Sequence, residues 1–166
     1  MADAALKIEV IAETTVERIK GQMSSRSVRA ANELMNAKNL VLRGQRSGRQ
    51  YNLPNTGRVR YNKRKKTAKI TYRKYRASAP GEAPAVRTGQ FRLKWDSKAY
   101  GIGGASGSTF EAHSQIESNV RTDGGKYLLG EILEEGTGKM APRPYQEPIV
   151  EKAKPRIIKI YKEPYL

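Results

Sequence analysis

The chain has 166 residues, room for one domain and too little for two comfortable ones. It carries 32 Lys and Arg against 16 Asp and Glu, a formal net charge of +16, with 37% hydrophobic residues. No apolar run approaches the ~20 residues of a membrane span, the absence of cysteine removes disulfides and thiolate chemistry, and a single histidine leaves little for metal or acid–base constellations.

Residues 5–38 are expected to form a long helix. Ile8, Ile11, Val16, Ile19, Met23, Val28, Ala31 and Met35 recur at helical intervals and should bury one face. Gly21 and the Ser24-Ser25 pair are candidate breaks. The segment Met1–Lys7 lacks a basic region followed by an apolar one, so no secretion signal is expected.

Residues 39–76 change period and concentrate the charge. No acidic residue separates Glu33 from Glu82, and 14 cations lie between them. These are Lys38, Arg43, Arg46, Arg49, Arg58, Arg60, Lys63, Arg64, Lys65, Lys66, Lys69, Arg73, Lys74 and Arg76. The rest of the chain holds 18 basic and 16 acidic residues, a net of +2. Leu40–Leu42 and Tyr51–Leu53 flank a turn signal at Arg46–Arg49, and Arg58–Tyr61 and Ala68–Arg73 flank Asn62–Lys66. The pattern predicts one or two β-hairpins with basic outer faces, projecting distally because few apolar residues are available to pack. Tyr51, Tyr61, Tyr72 and Tyr75 interleave with the cations. That suits phosphate contact with base stacking, and it suits equally well strand tyrosines packing across the hairpin.

Residues 77–88 hold Pro80, Gly81 and Pro84 and read as an extended connector. Phe91, Leu93 and Trp95 alternate, as do Phe110, Ala112, Ser114 and Ile116, which predicts two antiparallel strands with a Gly101–Gly107 loop between them. Leu128–Leu133 is expected as a short strand or helical turn. Ile149, Ala153, Ile157 and Ile160 stripe a last helix that Pro155 should kink or interrupt. The order predicts an α+β fold: a long N-terminal helix and a C-terminal helix on an antiparallel sheet, with a basic hairpin arm over 39–76 inserted in a single domain spanning 1–166.

Catalytic patterns are weak. Gly136–Met140 has Leu133 where a phosphate-binding loop needs Gly and Met140 where it needs Ser or Thr. The 101–107 glycines lack the strand and helix of a dinucleotide site. Alternation puts His113 on the solvent face of its strand, beside Glu111, Gln115 and Glu117. Glu134 is better placed to accept backbone hydrogen bonds in a turn than to pair with Glu135 as acid and base. No enzyme activity and no cofactor are expected.

Four short motifs, in order, carry a family resemblance. An amphipathic helix ends in Ala37-Lys38. Pro84-Ala85-Val86-Arg87-Thr88-Gly89-Gln90-Phe91-Arg92 follows, preceded by Ala77–Glu82. Then come Leu133-Glu134-Glu135-Gly136-Thr137 and the Arg143-Pro144-Tyr145 step into the last helix. Across nearly its whole length the chain resembles the tail-completion, or head–tail joining, neck proteins of long-tailed phages, the group related to the lambda minor tail protein Z. It departs from them at Glu135, where the family has an aromatic residue, and at Leu129-Gly130, where it has Tyr-Ala. The resemblance implies a non-enzymatic virion protein, assembled in the host cytoplasm into a ring of typically six copies at the neck. The implied partners are the head connector or stopper and the tail terminator or tail tube, with no membrane. Pro84, Thr88, Gly89, Glu134, Gly136, Thr137, Arg143 and Pro144 are then scaffold residues. The arm cations Arg43, Arg46, Arg49, Arg58, Arg60, Lys63, Arg64, Lys65, Lys66, Arg73, Lys74 and Arg76 become candidate contacts to an acidic protein surface first and to genomic DNA second. A tail-terminator ring and a basic nucleic-acid-binding module are the alternatives.

Overall fold

The computed structural model describes the backbone over residues 2–103 and 110–165, and side chains over 14–100 and 111–165. Among the described residues it is an α+β fold of four helices and three antiparallel two-stranded ladders. The elements are α1 (Ala2–Arg43), β1 (Gln50–Asn52), β2 (Arg58–Asn62), β3 (Thr67–Thr71), β4 (Lys74–Arg76), α2 (Gln90–Leu93), β5 (Asp96–Gly103), β6 (Phe110–Glu117), α3 (Leu129–Glu135) and α4 (Gln146–Tyr161). The expected antiparallel sheet is the β5–β6 pair, and the expected hairpin arm consists of two further pairs, β1 with β4 and β2 with β3.

The chain divides into two compact units. The first holds α1 up to Ala37, residues 95–117 with β5 and β6, and α4 from Ile149 onward. Its buried apolar side chains are Ala30, Ala31, Ala37, Ile149, Ala153 and Ile160. The stripe expected on α1 is largely kept: Ala31 is buried and Val16, Ile19, Met23 and Met35 are half-buried, while Val28 is exposed and Ser27, Ala30 and Ala37 are buried in addition. Ile8 and Ile11 lie outside the described side chains. Polar ties complete this unit. Arg29 makes a two-pronged ion pair with Glu163 at 2.6 Å, and Arg156 reaches Glu33 at 3.1 Å. The Ser114 hydroxyl donates to the Ser27 carbonyl at 2.8 Å, joining β6 to α1. Buried Arg26 donates to the Pro164 carbonyl at 2.8 Å and lies 3.8 Å over the Tyr165 ring.

Gly21 and Ser24-Ser25 do not break α1, which runs unbroken for 42 residues. One glycine costs about 1 kcal/mol of helix propensity, which flanking turns absorb. Leu40–Leu42, expected as a strand, is the last turn of the same helix. α4 likewise continues through an exposed Pro155 without interruption.

The second unit holds residues 38–94 and 118–148. Phe91 and Leu93 lie in the short helix α2 rather than a strand, and the β5–β6 ladder starts at Asp96 opposite Glu117. Gly101–Gly103, expected as loop, is the end of β5. Residues 104–107 of that expected loop lie outside the described residues. Leu42 and Val120 are buried in the second unit, and Phe91 meets the buried Tyr145 edge-on at 5.2 Å between ring centres. Burial pushes the Tyr145 phenol up from its usual value.

Candidate functional site

The basic arm is built as nested ladders. β1–β4 forms its base, with Tyr51 opposite Tyr75, and β2–β3 forms its distal part. The turn signal at Arg46–Arg49 does not pair Leu40–Leu42 with Tyr51–Leu53. The partner of β1 comes from 74–76, because Leu40–Leu42 has already been used by α1. Thr56 joins the two ladders: its hydroxyl donates to the Leu53 carbonyl at 2.7 Å and accepts from the Arg73 N–H at 3.1 Å. At the tip the Asn62 side-chain oxygen accepts from the N–H groups of Arg64 and Lys65 at 3.1 and 3.3 Å, and Lys66 takes φ 49° to turn the chain back. Every residue of β2 and β3 is exposed, as the scarcity of apolar residues led one to expect.

The twelve candidate cations do not share one role. Arg58, Arg60, Lys63, Arg64, Lys65, Lys66, Arg73 and Lys74 are exposed along the arm, and Arg43 is exposed at the end of α1. Arg49 lies 5.8 Å over the Tyr51 ring, and Arg76 points its guanidinium at the carbonyls of Ser47 and Gly48, 3.5 Å away. Arg46 is a staple at the base. Its Nη2 donates to Val41 at 2.8 Å and to Pro84 at 3.1 Å, its Nε to Pro84 at 3.3 Å and its Nη1 to Gln45 at 3.1 Å, all to carbonyl oxygens. Lys38 is turned inward too. It is buried, donates to the Arg92 carbonyl at 3.1 Å, and has its pKa lowered by burial and then by the Arg92 charge. Among the tyrosines, Tyr51 and Tyr75 stack on each other at 5.9 Å across the base ladder, and Tyr51, Tyr61 and Tyr72 are all exposed.

Glu82 holds the arm's base to the connector. Its carboxylate accepts from the Ala79 N–H at 2.8 Å and the Ser47 N–H at 3.1 Å. The Ser47 hydroxyl, these N–H groups and the nearby Arg46 charge hold its pKa at about 2, below the ordinary 4.5. A depressed carboxylate pKa gives stability that is fully present above about 4.5 and is lost as pH falls toward 2. Wild-type protein should therefore lose thermal stability more steeply across that window than Glu82→Gln. Parallel slopes in a pH series of melts would contradict the assignment.

The motif residues meet in the same unit. Glu134 accepts at one carboxylate oxygen from the N–H groups of Tyr145 (2.9 Å) and Gln146 (3.3 Å), capping the first turn of α4. This is the turn role anticipated for it. Glu134→Gln keeps the shape and removes the charge at a helix start, and should cost about 1 kcal/mol in denaturant unfolding. Gly136 ends α3, and Thr137 and Met140 close a tight turn with reciprocal backbone bonds of 2.7 and 3.0 Å. The Arg143 N–H donates to the Leu133 carbonyl at 2.8 Å, and its guanidinium donates to the Ser78 hydroxyl at 3.0 Å. Pro144 precedes the buried Tyr145 and is itself half-buried. Pro84 is buried with its carbonyl on Arg46, Gly89 starts α2 at φ 86°, and the Thr88 hydroxyl lies 3.5 Å from the Gln90 N–H.

A half-open cavity of about 550 Å³ adjoins these segments, lined by Leu42, Val86, Phe91, Val120, Leu129 and Leu133, with Arg87, Arg92, Arg121 and Arg143 also in its wall. Sequence reasoning missed it because its walls come from five separated segments with no shared period. His113 is exposed, 3.2 Å from the Glu111 carboxylate and stacked on Tyr100, its cross-strand partner. Among the described residues no helix is long and apolar enough to cross a membrane. No protein-family model matches the chain, and no curated protein or solved structure matches it.

Proposed function

We propose that the chain is a structural virion protein of a long-tailed bacteriophage, a subunit of the neck ring that joins the head connector to the tail. The observation that carries this reading is a division of labour between motif and arm. Pro84 and the residues Glu134, Gly136 and Arg143, some fifty positions further along the chain, are all engaged in holding one scaffold together. The β2–β3 arm, by contrast, leaves every one of its residues facing outward. A body whose distinctive residues serve shape, carrying a projecting ribbon, suits an assembly part. The ring is typically of six copies, seated between the connector or stopper and the tail terminator or tail tube, in particles assembled in the host cytoplasm. A tail-terminator ring is the neighbouring version of the same reading.

Phage lacking the chain should accumulate filled heads and finished tails that do not join, visible by electron microscopy and rescued by adding the protein. Normal particles without it would end the proposal. The exposed cations and the exposed Tyr61 and Tyr72 favour one second reading, a nucleic-acid-binding module. That reading requires tight binding of the isolated chain to DNA or RNA, with affinity falling steeply as salt rises.

A further inference from the structure

The β2–β3 ladder separates its side chains by face. Opposed residues of an antiparallel pair share a face, and neighbours along a strand alternate. Val59 opposes Ile70 and Tyr61 opposes Ala68, so these four share one side. Arg58, Arg60 and Lys69 fall on the other. Tyr72 joins the first side across Gly57, where a Cβ would come within 3.0 Å of the Tyr72 ring and 3.4 Å of the Ile70 side chain. The side is apolar and open: Val59 is 68% exposed, Tyr61 62%, Ile70 55% and Tyr72 44%. A two-stranded ribbon is marginal in water without something packed on its apolar side.

We propose that this apolar face is a docking surface for an acidic protein, one presenting an apolar patch ringed by carboxylates to Val59, Tyr61, Ile70 and Tyr72. The proposal deepens the neck reading and rests on it for the partner's setting. Charge selects the partner. Exposed Lys63–Lys66 at the tip and Arg73 and Lys74 at the base flank the face, with no acidic residue between Glu33 and Glu82. An apolar centre inside a charged rim is the layout of a protein interface. A second copy of the chain offers a body of net +2 and an arm of like charge, the wrong complement. DNA would satisfy the cations but leave Val59 and Ile70, in mid-ribbon, against no apolar partner.

The test titrates the full chain, followed by NMR, with three probes: a short peptide of alternating glutamate and valine, an all-glutamate peptide of equal length, and a short DNA duplex. V59T/I70T keeps β-branched residues in the ribbon and removes its apolar centre. The alternating peptide should bind the wild type more tightly than the all-glutamate peptide and lose roughly tenfold in V59T/I70T. The other two probes should change little. Equal binding of the two peptides, or no loss in the variant, overturns the proposal. DNA binding that falls with V59T/I70T would assign the face to DNA, and self-association abolished by the variant would assign it to a second copy. Complementation separates this inference from the reading beneath it. Phage lacking the chain that still assemble sink the neck reading, whereas V59T/I70T joining heads to tails as well as wild type sinks only the docking face.

Discussion

Gly136→Ala should destabilise the protein by about 3 kcal/mol, with the melting temperature falling by roughly 6–12 °C. Gly136 has φ 79° and ψ −168°, a combination essentially reserved for glycine. Space is as restrictive as torsion. A Cβ there would stand 2.6 Å from the Met140 carbonyl oxygen and 2.8 Å from the Pro142 nitrogen. Both are backbone atoms in a segment pinned by the Thr137–Met140 turn and by the Arg143 bond to Leu133, so neither can swing aside. Relief would have to open the turn, moving Arg143 off Ser78 and loosening the Glu134 cap on α4. Gly138→Ala, two residues on, is the control: a Cβ there meets nothing within 4 Å. Equal melting temperatures for the two variants would contradict the account.

Arg46→Ala should cost about 2 kcal/mol, and Arg60→Ala less than about 0.5, although each removes one positive charge from the arm. Arg46 is the donor to the Val41 and Pro84 carbonyls, tying the end of α1 to the connector. Its burial lowers its pKa, opposed by the charge of Glu82. Without it those oxygens lose a charged donor. Arg60 is exposed on a ladder exposed along its whole length. Arg46→Lys should recover little, since an ammonium cannot reproduce a planar fork aimed at two carbonyls. Denaturant unfolding measures both. Comparable losses for Arg46→Ala and Arg60→Ala would return Arg46 to the contact surface.

Where the chain's pattern and local chemistry agreed, the fold could be read in advance. The Asn62–Lys66 tip, the strand at Phe110–Glu117 and the Ile149–Ala153–Ile160 stripe all emerge where alternation or helical spacing put them. Even the amphipathic split of the arm was legible, because Arg58-Val59-Arg60-Tyr61 alternates and a hairpin tip sets its register. The failures came from short apolar runs. Leu40–Leu42 suits a strand as well as a helical turn, and it follows α1, which was already nucleated and needed only one more bond per residue to continue. Phe91–Trp95 alternates like a strand, but Gly89 at φ 86° turns the chain and its carbonyl accepts from Arg92 and Leu93, so a helical turn forms first.

By itself, the sequence determined the fold class and the location of the charge, because period and composition are local properties; it made Glu134 an acceptor of backbone hydrogen bonds, while the donors, Tyr145 and Gln146, come from the start of α4. Only the tertiary structure decided that β1 pairs with β4, that the end of α1 takes up Leu40–Leu42, and which cations remain available. The pairing and the fate of the cations depend on contacts between residues far apart in the chain: Gln50 finds Arg76, Arg46 is consumed by Pro84, and Lys38 by Arg92. The basic segment thus became two things, a base stapled by Arg46 and Glu82 and a ribbon whose apolar and cationic faces are still open to a partner.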